Sequence, residues 1–167
     1  HERYNIDRKF LDIEKKNKNF AISANILDKK FGNLKWITPN YEDPMKEIEI
    51  IKTAFNIIKK DMRNKSLLTH YQFFSTFTNQ DLNIWNRWYV WDNNSHPTPN
   101  HKYHDIYKQM INENLKKNKI QVIYLLSSDN EINFQNIKEY FDNICFKHNT
   151  IIEKKFSSHE IINCKEK

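Results

Sequence analysis

The sequence predicts an α/β fold: a small, mainly parallel sheet of about four to six strands with helices on both faces. Three observations carry this. Apolar residues recur at spacings of three and four in two long segments, strand-sized apolar runs lie around them, and the two kinds of segment alternate. Right-handed crossovers turn such an alternation into a parallel sheet. The outline is Rossmann-like but without a nucleotide-binding glycine motif, because Gly32 is the one glycine in the chain.

Each element has its own reason. Glu2 to Leu11 offers a short edge strand anchored by Phe10 and Leu11. Ile22 to Lys30 reads as a helix ended by Gly32, which tolerates the left-handed cap. Leu34 to Thr38 alternates as a strand and stops at Pro39. Asp43 and Pro44 suit the N-cap and first turn of a helix whose stripe is Met45, Ile48, Ile51, Phe55, Ile58 and Met62. After a turn at Asn64 and Lys65, Ser66 to Tyr71 reads as a buried strand. Phe73, Phe74 and Phe77 are apolar without a period that assigns them.

Residues 79–101 hold no periodicity and form a long aromatic loop. Tyr103, Ile106, Tyr107, Met110, Ile111 and Leu115 mark the next helix, with Lys116, Lys117 and Lys119 complementing its C-terminal dipole. Ile120 to Leu126 is the strongest strand. Asn133 caps a third helix, stapled by Ile132 and Ile137 and buried through Phe134, Ile137, Phe141 and Ile144. Thr150 to Phe156 and Glu160 to Cys164 read as two strands joined at Ser157 and Ser158, a hairpin at one sheet edge.

The 167 residues suit a single soluble domain large enough to bury its own core. No apolar run approaches the roughly 20 residues of a membrane-spanning helix. The missing glycines exclude a P-loop and a GxSxG nucleophile elbow. The formal charge of +6 resembles a nucleic-acid signal, but only Arg3, Arg8, Arg63 and Arg87 are arginines among the 27 basic residues. Base readers favour arginine, so no nucleic-acid partner is expected. Abundant Lys, Asn and Ile reflect an AT-rich coding bias. The chain starts at His1, which reads as a fragment of a larger polypeptide.

In a parallel sheet, ligands sit beyond the carboxyl ends of the strands. Those ends carry Thr38 to Tyr41, Tyr71 with Gln72, and Ser127, Ser128 and Asp129. The aromatic loop leaves the same edge and holds three of the four tryptophans. Indole faces stack on sugars, and neighbouring polar groups bond hydroxyls. The candidate ligand-binding residues are therefore Arg87, Trp88, Tyr89, Trp91, Asp92, His96, His101, Tyr71 and Asp129. The competing reading folds these aromatics inward as a satellite core. His96, His101 and His104 lie close in sequence, but no fourth ligand completes a zinc set, so no metal and no cofactor is expected. His70 reads as a core histidine. Ser127 or Ser128 with His70 or His159 makes no recognisable triad, so no catalytic residue is assigned. Cys145 and Cys164 are either two free thiols or, in an oxidising compartment, a disulfide closing about 19 residues and worth roughly 3 kcal/mol.

Several short motifs occur together in order: the run Leu34 to Pro39, the helix after Asp43 and Pro44, Leu68 to Tyr71 followed by Phe73 to Ser75, Asn86 to Tyr89, Ser95 to Pro97, Asn100 to Tyr103 and Val122 to Tyr124. This series resembles the soluble C-terminal region of multi-spanning bacterial membrane proteins of the GT-C glycosyltransferase type, similar to dolichyl-phosphate-mannose–protein mannosyltransferases. The resemblance covers residue 20 or so to the end. It implies membrane helices before His1 as a partner within the same polypeptide. It also implies a soluble domain facing the periplasm from the inner membrane, and a polyprenyl-phosphate sugar or glycan acceptor nearby. The family's catalytic acids lie in membrane loops outside this chain, so none is carried over. A periplasmic setting favours the Cys145–Cys164 disulfide. The WWDYG motif of oligosaccharyltransferase soluble domains is missing, which argues against peptide-sequon recognition.

The leading expectation is thus an extracytoplasmic domain that binds or positions an acceptor and has no turnover alone. Two alternatives stand beside it. One is a free-standing α/β hydrolase or transferase using His70, Asp129 and the loop. The other is a basic module for nucleic acid or an anionic surface, whose binding collapses with salt.

Overall fold

The computed structural model describes residues 21–38, 43–86, 96–127, 134–141 and 143–164. The chain divides into two compact units, the first ending at Thr53 and the second starting at Ala54.

In the first unit, Ile22–Ser23 (β1) pairs antiparallel with Lys35–Trp36 (β2). Between them lie two turns of 3₁₀-helix, Ala24–Ile26 and Lys29–Phe31, where the sequence suggests one α-helix. Ser23 and Asp28 explain the break. Each side chain accepts from the amide two residues ahead, at 3.4 and 2.8 Å, which caps a tight turn and starts a new one. Gly32 follows at φ +52°, the left-handed region its missing Cβ allows. The Trp36 indole donates to Glu47 at 2.7 Å.

Pro44–Lys60 (α1) begins where expected, with the Asp43 carboxylate accepting from the Met45 amide at 2.9 Å. Its buried line is Ile48, Ile51, Ala54 and Ile58. Met62, placed by the periodicity on the same stripe, lies beyond the helix and is 86% exposed.

The second unit is built on Lys65–Thr69 (β3), Val122–Leu126 (β4), Cys145–Ile152 (β5) and Phe156–Ile162 (β6), in the order β3-β4-β6-β5. Only β3 and β4 run parallel; β4 pairs antiparallel with β6, and β6 with β5. The predicted mainly parallel, Rossmann-like sheet is therefore wrong. The Leu34–Thr38 segment never joins this sheet, which removes one crossover. The terminal hairpin then inserts its second strand against β4, so β6 is interior and β5 is the edge. The hairpin turn is Glu153 to Lys155, closed by the Lys155 amide on the Ile152 carbonyl at 3.1 Å, and Ser157 and Ser158 belong to β6.

Phe74–Thr78 (α2), His104–Lys117 (α3) and Phe134–Lys138 (α4) complete the unit. Strand alternation puts Leu68, Ile123, Leu125 and His159 on one face of the sheet. There Ile111 and Leu115 of α3, Phe134 and Ile137 of α4, and Tyr140 and Phe141 close one apolar core. The buried side of α3 excludes Tyr103, Ile106 and Met110, which stay 53%, 68% and 44% exposed. The start of the aromatic loop is anchored to β3: the Leu67 amide donates to Leu82 at 3.0 Å, and Ser66 Oγ to the Asn83 carbonyl at 2.9 Å.

With one glycine available, other residues fill the left-handed positions. Asn79, Asn83 and Asn143 do so through the residue type that best tolerates it. Lys119 (φ +49°) and Lys154 (φ +57°) do so without that advantage. Lys119 closes α3 in a Schellman arrangement, with Ile120 N–H on Leu115 and Lys119 N–H on Lys116.

Candidate functional site

A cleft of about 270 Å³ opens where β4 ends and the β5–β6 hairpin turns. Its polar lining is Ser127, His148, Thr150, Lys154, Lys155 and Ser157. Leu125, Phe134, Ile152 and Phe156 supply the apolar part. The strand register creates this grouping. His148 lies opposite His159, and Thr150 opposite Ser157, so the four side chains share one face.

Those four groups form a continuous hydrogen-bonded chain. Ser157 Oγ is 3.0 Å from His159 Nε2, His159 Nδ1 is 3.3 Å from His148 Nδ1, and His148 Nε2 is 2.9 Å from Thr150 Oγ1. His159 is fully buried, whereas His148 and Thr150 are exposed at the cleft. Burial first, and the neighbouring His148 second, push the His159 pKa down to about 3. The imidazole is therefore neutral near pH 7, donating from one nitrogen and accepting at the other. A base this weak is poorly matched to activating a serine at neutral pH. The chemistry that fits the cleft is recognition of a ligand by hydroxyls, an imidazole and two ammonium groups.

A second polar cluster lies on the opposite face. The Asp61 carboxylate accepts from Tyr124 Oη at 2.6 Å and from Arg63 Nε and Nη2 at 3.0 and 2.8 Å. Arg63 also reaches Glu160 at 3.3 Å. Burial raises the Asp61 pKa, but the Arg63 and Tyr124 hydrogen bonds together outweigh it and hold the pKa at about 2. Lys65 is buried beside them, donating to the Asp61 carbonyl and, at 3.2 Å, to Gln80. Burial lowers its pKa. Every polar group in this cluster points at another, so the cluster braces the fold.

The structure separates the residues singled out in the sequence. Arg87, Trp88, Tyr89, Trp91, Asp92 and Asp129 lie outside the described residues. Tyr71 sits in the turn after β3, its ring 5.9 Å from Phe73, and does not line the cleft. His96 is buried with its ring 5.9 Å from Tyr107 and 6.2 Å from Tyr140, an aromatic core position. His101 lies just before α3, its ring 5.5 Å from that of Tyr103 and tilted by 59°. Among the described residues, no three His, Cys, Asp or Glu side chains converge as a metal site. Trp85 follows the inward reading, edge-on to Phe141 at 6.3 Å. Of the strand-end residues, Ser127 lines the cleft. Cys145 and Cys164 are joined, with Cα atoms 5.1 Å apart.

Sequence reasoning missed His148, Thr150, Ser157, Lys154 and Lys155 as a group. The signal was Glu153–Lys155 as the hairpin turn; from it the pairing of the histidines follows directly. No family model, no curated protein and no solved structure matches the chain.

Proposed function

We propose that the chain is a non-catalytic binding domain working outside the reducing cytosol, the extracytoplasmic part of a membrane glycosyltransferase-like protein that holds an acceptor in the cleft at the β5–β6 turn. The observation that carries this reading is the Cys145–Cys164 bond, which ties the start of β5 to the chain just past β6. Structural disulfides persist in oxidising compartments and are rare elsewhere. The ordered motifs that resemble GT-C proteins supply the membrane context. The depressed basicity of His159 supports binding without turnover. Among the described residues no helix is long and apolar enough to cross a membrane.

The test is an intact-mass and free-thiol measurement on protein from its native cells, denatured without reductant. No free thiol, and a gain of about two protons on reduction, supports the reading. Two free thiols in material never exposed to reductant overturn it. Sugar transfer or hydrolysis by the isolated chain overturns the non-catalytic part.

A further inference from the structure

We propose that the outer face of α3 is a contact surface between two copies of this chain, packed as an antiparallel helix pair. This goes beyond the binding-domain reading and is independent of it.

Helix α3 buries one side and leaves an apolar seam on the other. Its buried residues are His104, Ile111 and Leu115. Tyr103, Ile106 and Met110 stay 53%, 68% and 44% exposed. Their spacing of three and four is the rhythm of a helix–helix seam, and exposed Glu113 and Lys117 continue it. Large apolar side chains at that spacing are the anchors by which one helix docks on another surface.

The charges select the partner and its direction. The seam is apolar toward the N-terminus of α3 and ionic toward its C-terminus. A parallel pair would set Glu113 against Glu113 and Lys117 against Lys117. An antiparallel pair, with its two-fold axis level with Lys108, sets Ile106 against Met110 twice at the centre and Tyr103 against Glu113 at each end. The Tyr103 hydroxyl then donates to the Glu113 carboxylate of the second copy. Lys102 reaches the same carboxylate, since its ammonium lies over the Tyr103 ring at 4.7 Å. Lys116 approaches that Lys102 as well, with Glu113 between the two. Within one copy Gln109 donates to Glu113 Oε1 at 2.8 Å, and Oε2 has no donor among the described residues. Glu113 also argues against an anionic bilayer on this face, because headgroup phosphates would meet a carboxylate inside the seam.

The test is sedimentation equilibrium of the full chain, disulfide intact, from about 10 µM to about 1 mM, with 15N amide shifts followed over the same range. One helix face is a small interface, so a monomer–dimer equilibrium with Kd near about 0.1 mM is expected. The shifts should centre on Tyr103, Ile106, Met110 and Glu113. Ile106→Lys, at an exposed position, should leave urea unfolding of the monomer unchanged and weaken association at least about tenfold. Glu113→Lys should weaken it too, and Lys102→Glu added to Glu113→Lys should restore it. A chain that stays monomeric up to about 1 mM overturns the proposal. So does a dimer that Ile106→Lys leaves intact, or a charge reversal that is not restored. Contacts onto Ile106 and Met110 from elsewhere in the same chain, independent of concentration, overturn it in favour of an intramolecular cover. Binding of a monomeric chain to phosphatidylglycerol vesicles, lost in Ile106→Lys, overturns it in favour of a lipid surface.

Discussion

Phe134 lies flat on His159, with ring centroids 3.5 Å and planes 7° apart. The stack joins the first residue of α4 to the central strand β6. It also covers one side of the imidazole, so the proton that would charge His159 has no water to stabilise it. The buried histidine is thus a packing residue whose two nitrogens are committed to Ser157 and His148.

That burial makes stability depend on pH. The unfolded chain takes up a proton on His159 below about pH 6.5, and the folded chain does so only near pH 3. Stability present above pH 6.5 is therefore lost as pH falls through this window, at up to about 1.4 kcal/mol per pH unit. Urea unfolding followed from about pH 8 down to about pH 4 should show this slope. His159→Gln should flatten it.

Asp61 acts lower on the scale. Its folded pKa of about 2 lies below the ordinary 3.8, so its contribution is complete above 3.8 and disappears toward 2. At neutral pH, Tyr124→Phe removes a hydrogen bond to a charged group and should cost about 1.5–3 kcal/mol. Asp61→Asn should cost more, since it also removes the 2.8 Å pair with Arg63 and leaves that guanidinium only the Glu160 carboxylate at 3.3 Å. The double variant should fall short of the sum of the two, because both act on one carboxylate. Additivity in a double-mutant cycle would show the two contacts to be independent.

Much of the fold was legible in short-range signals. Asp43 and Pro44 start α1, and the unbroken apolar run gives β4, because caps and periods are local. The sheet was not legible, since pairing is decided at long range. Nothing near Lys35 says that it pairs with Ser23 instead of entering the main sheet. The cleft failed for the same reason. A misplaced turn at Ser157 and Ser158 shifts the hairpin register, and a shifted register hides that His148 faces His159. His96 attracted attention as a site residue because histidine beside tryptophans is chemically suggestive; its burial between Tyr107 and Tyr140 is a packing outcome.

The disulfide fixes that register covalently. Cys145 pairs with Ile162 in the ladder, and Cys164 lies two residues further on, so the bond staples the open end of the hairpin opposite its turn. It closes a separation of 19 residues, which corresponds to about 3 kcal/mol of chain entropy. Cys145→Ser with Cys164→Ser should lower stability by about that amount in urea unfolding. Reductant should reproduce the loss in the parent chain and have no effect on the variant. Equal stability of parent and variant without reductant would mean that the strand pairing alone holds the hairpin.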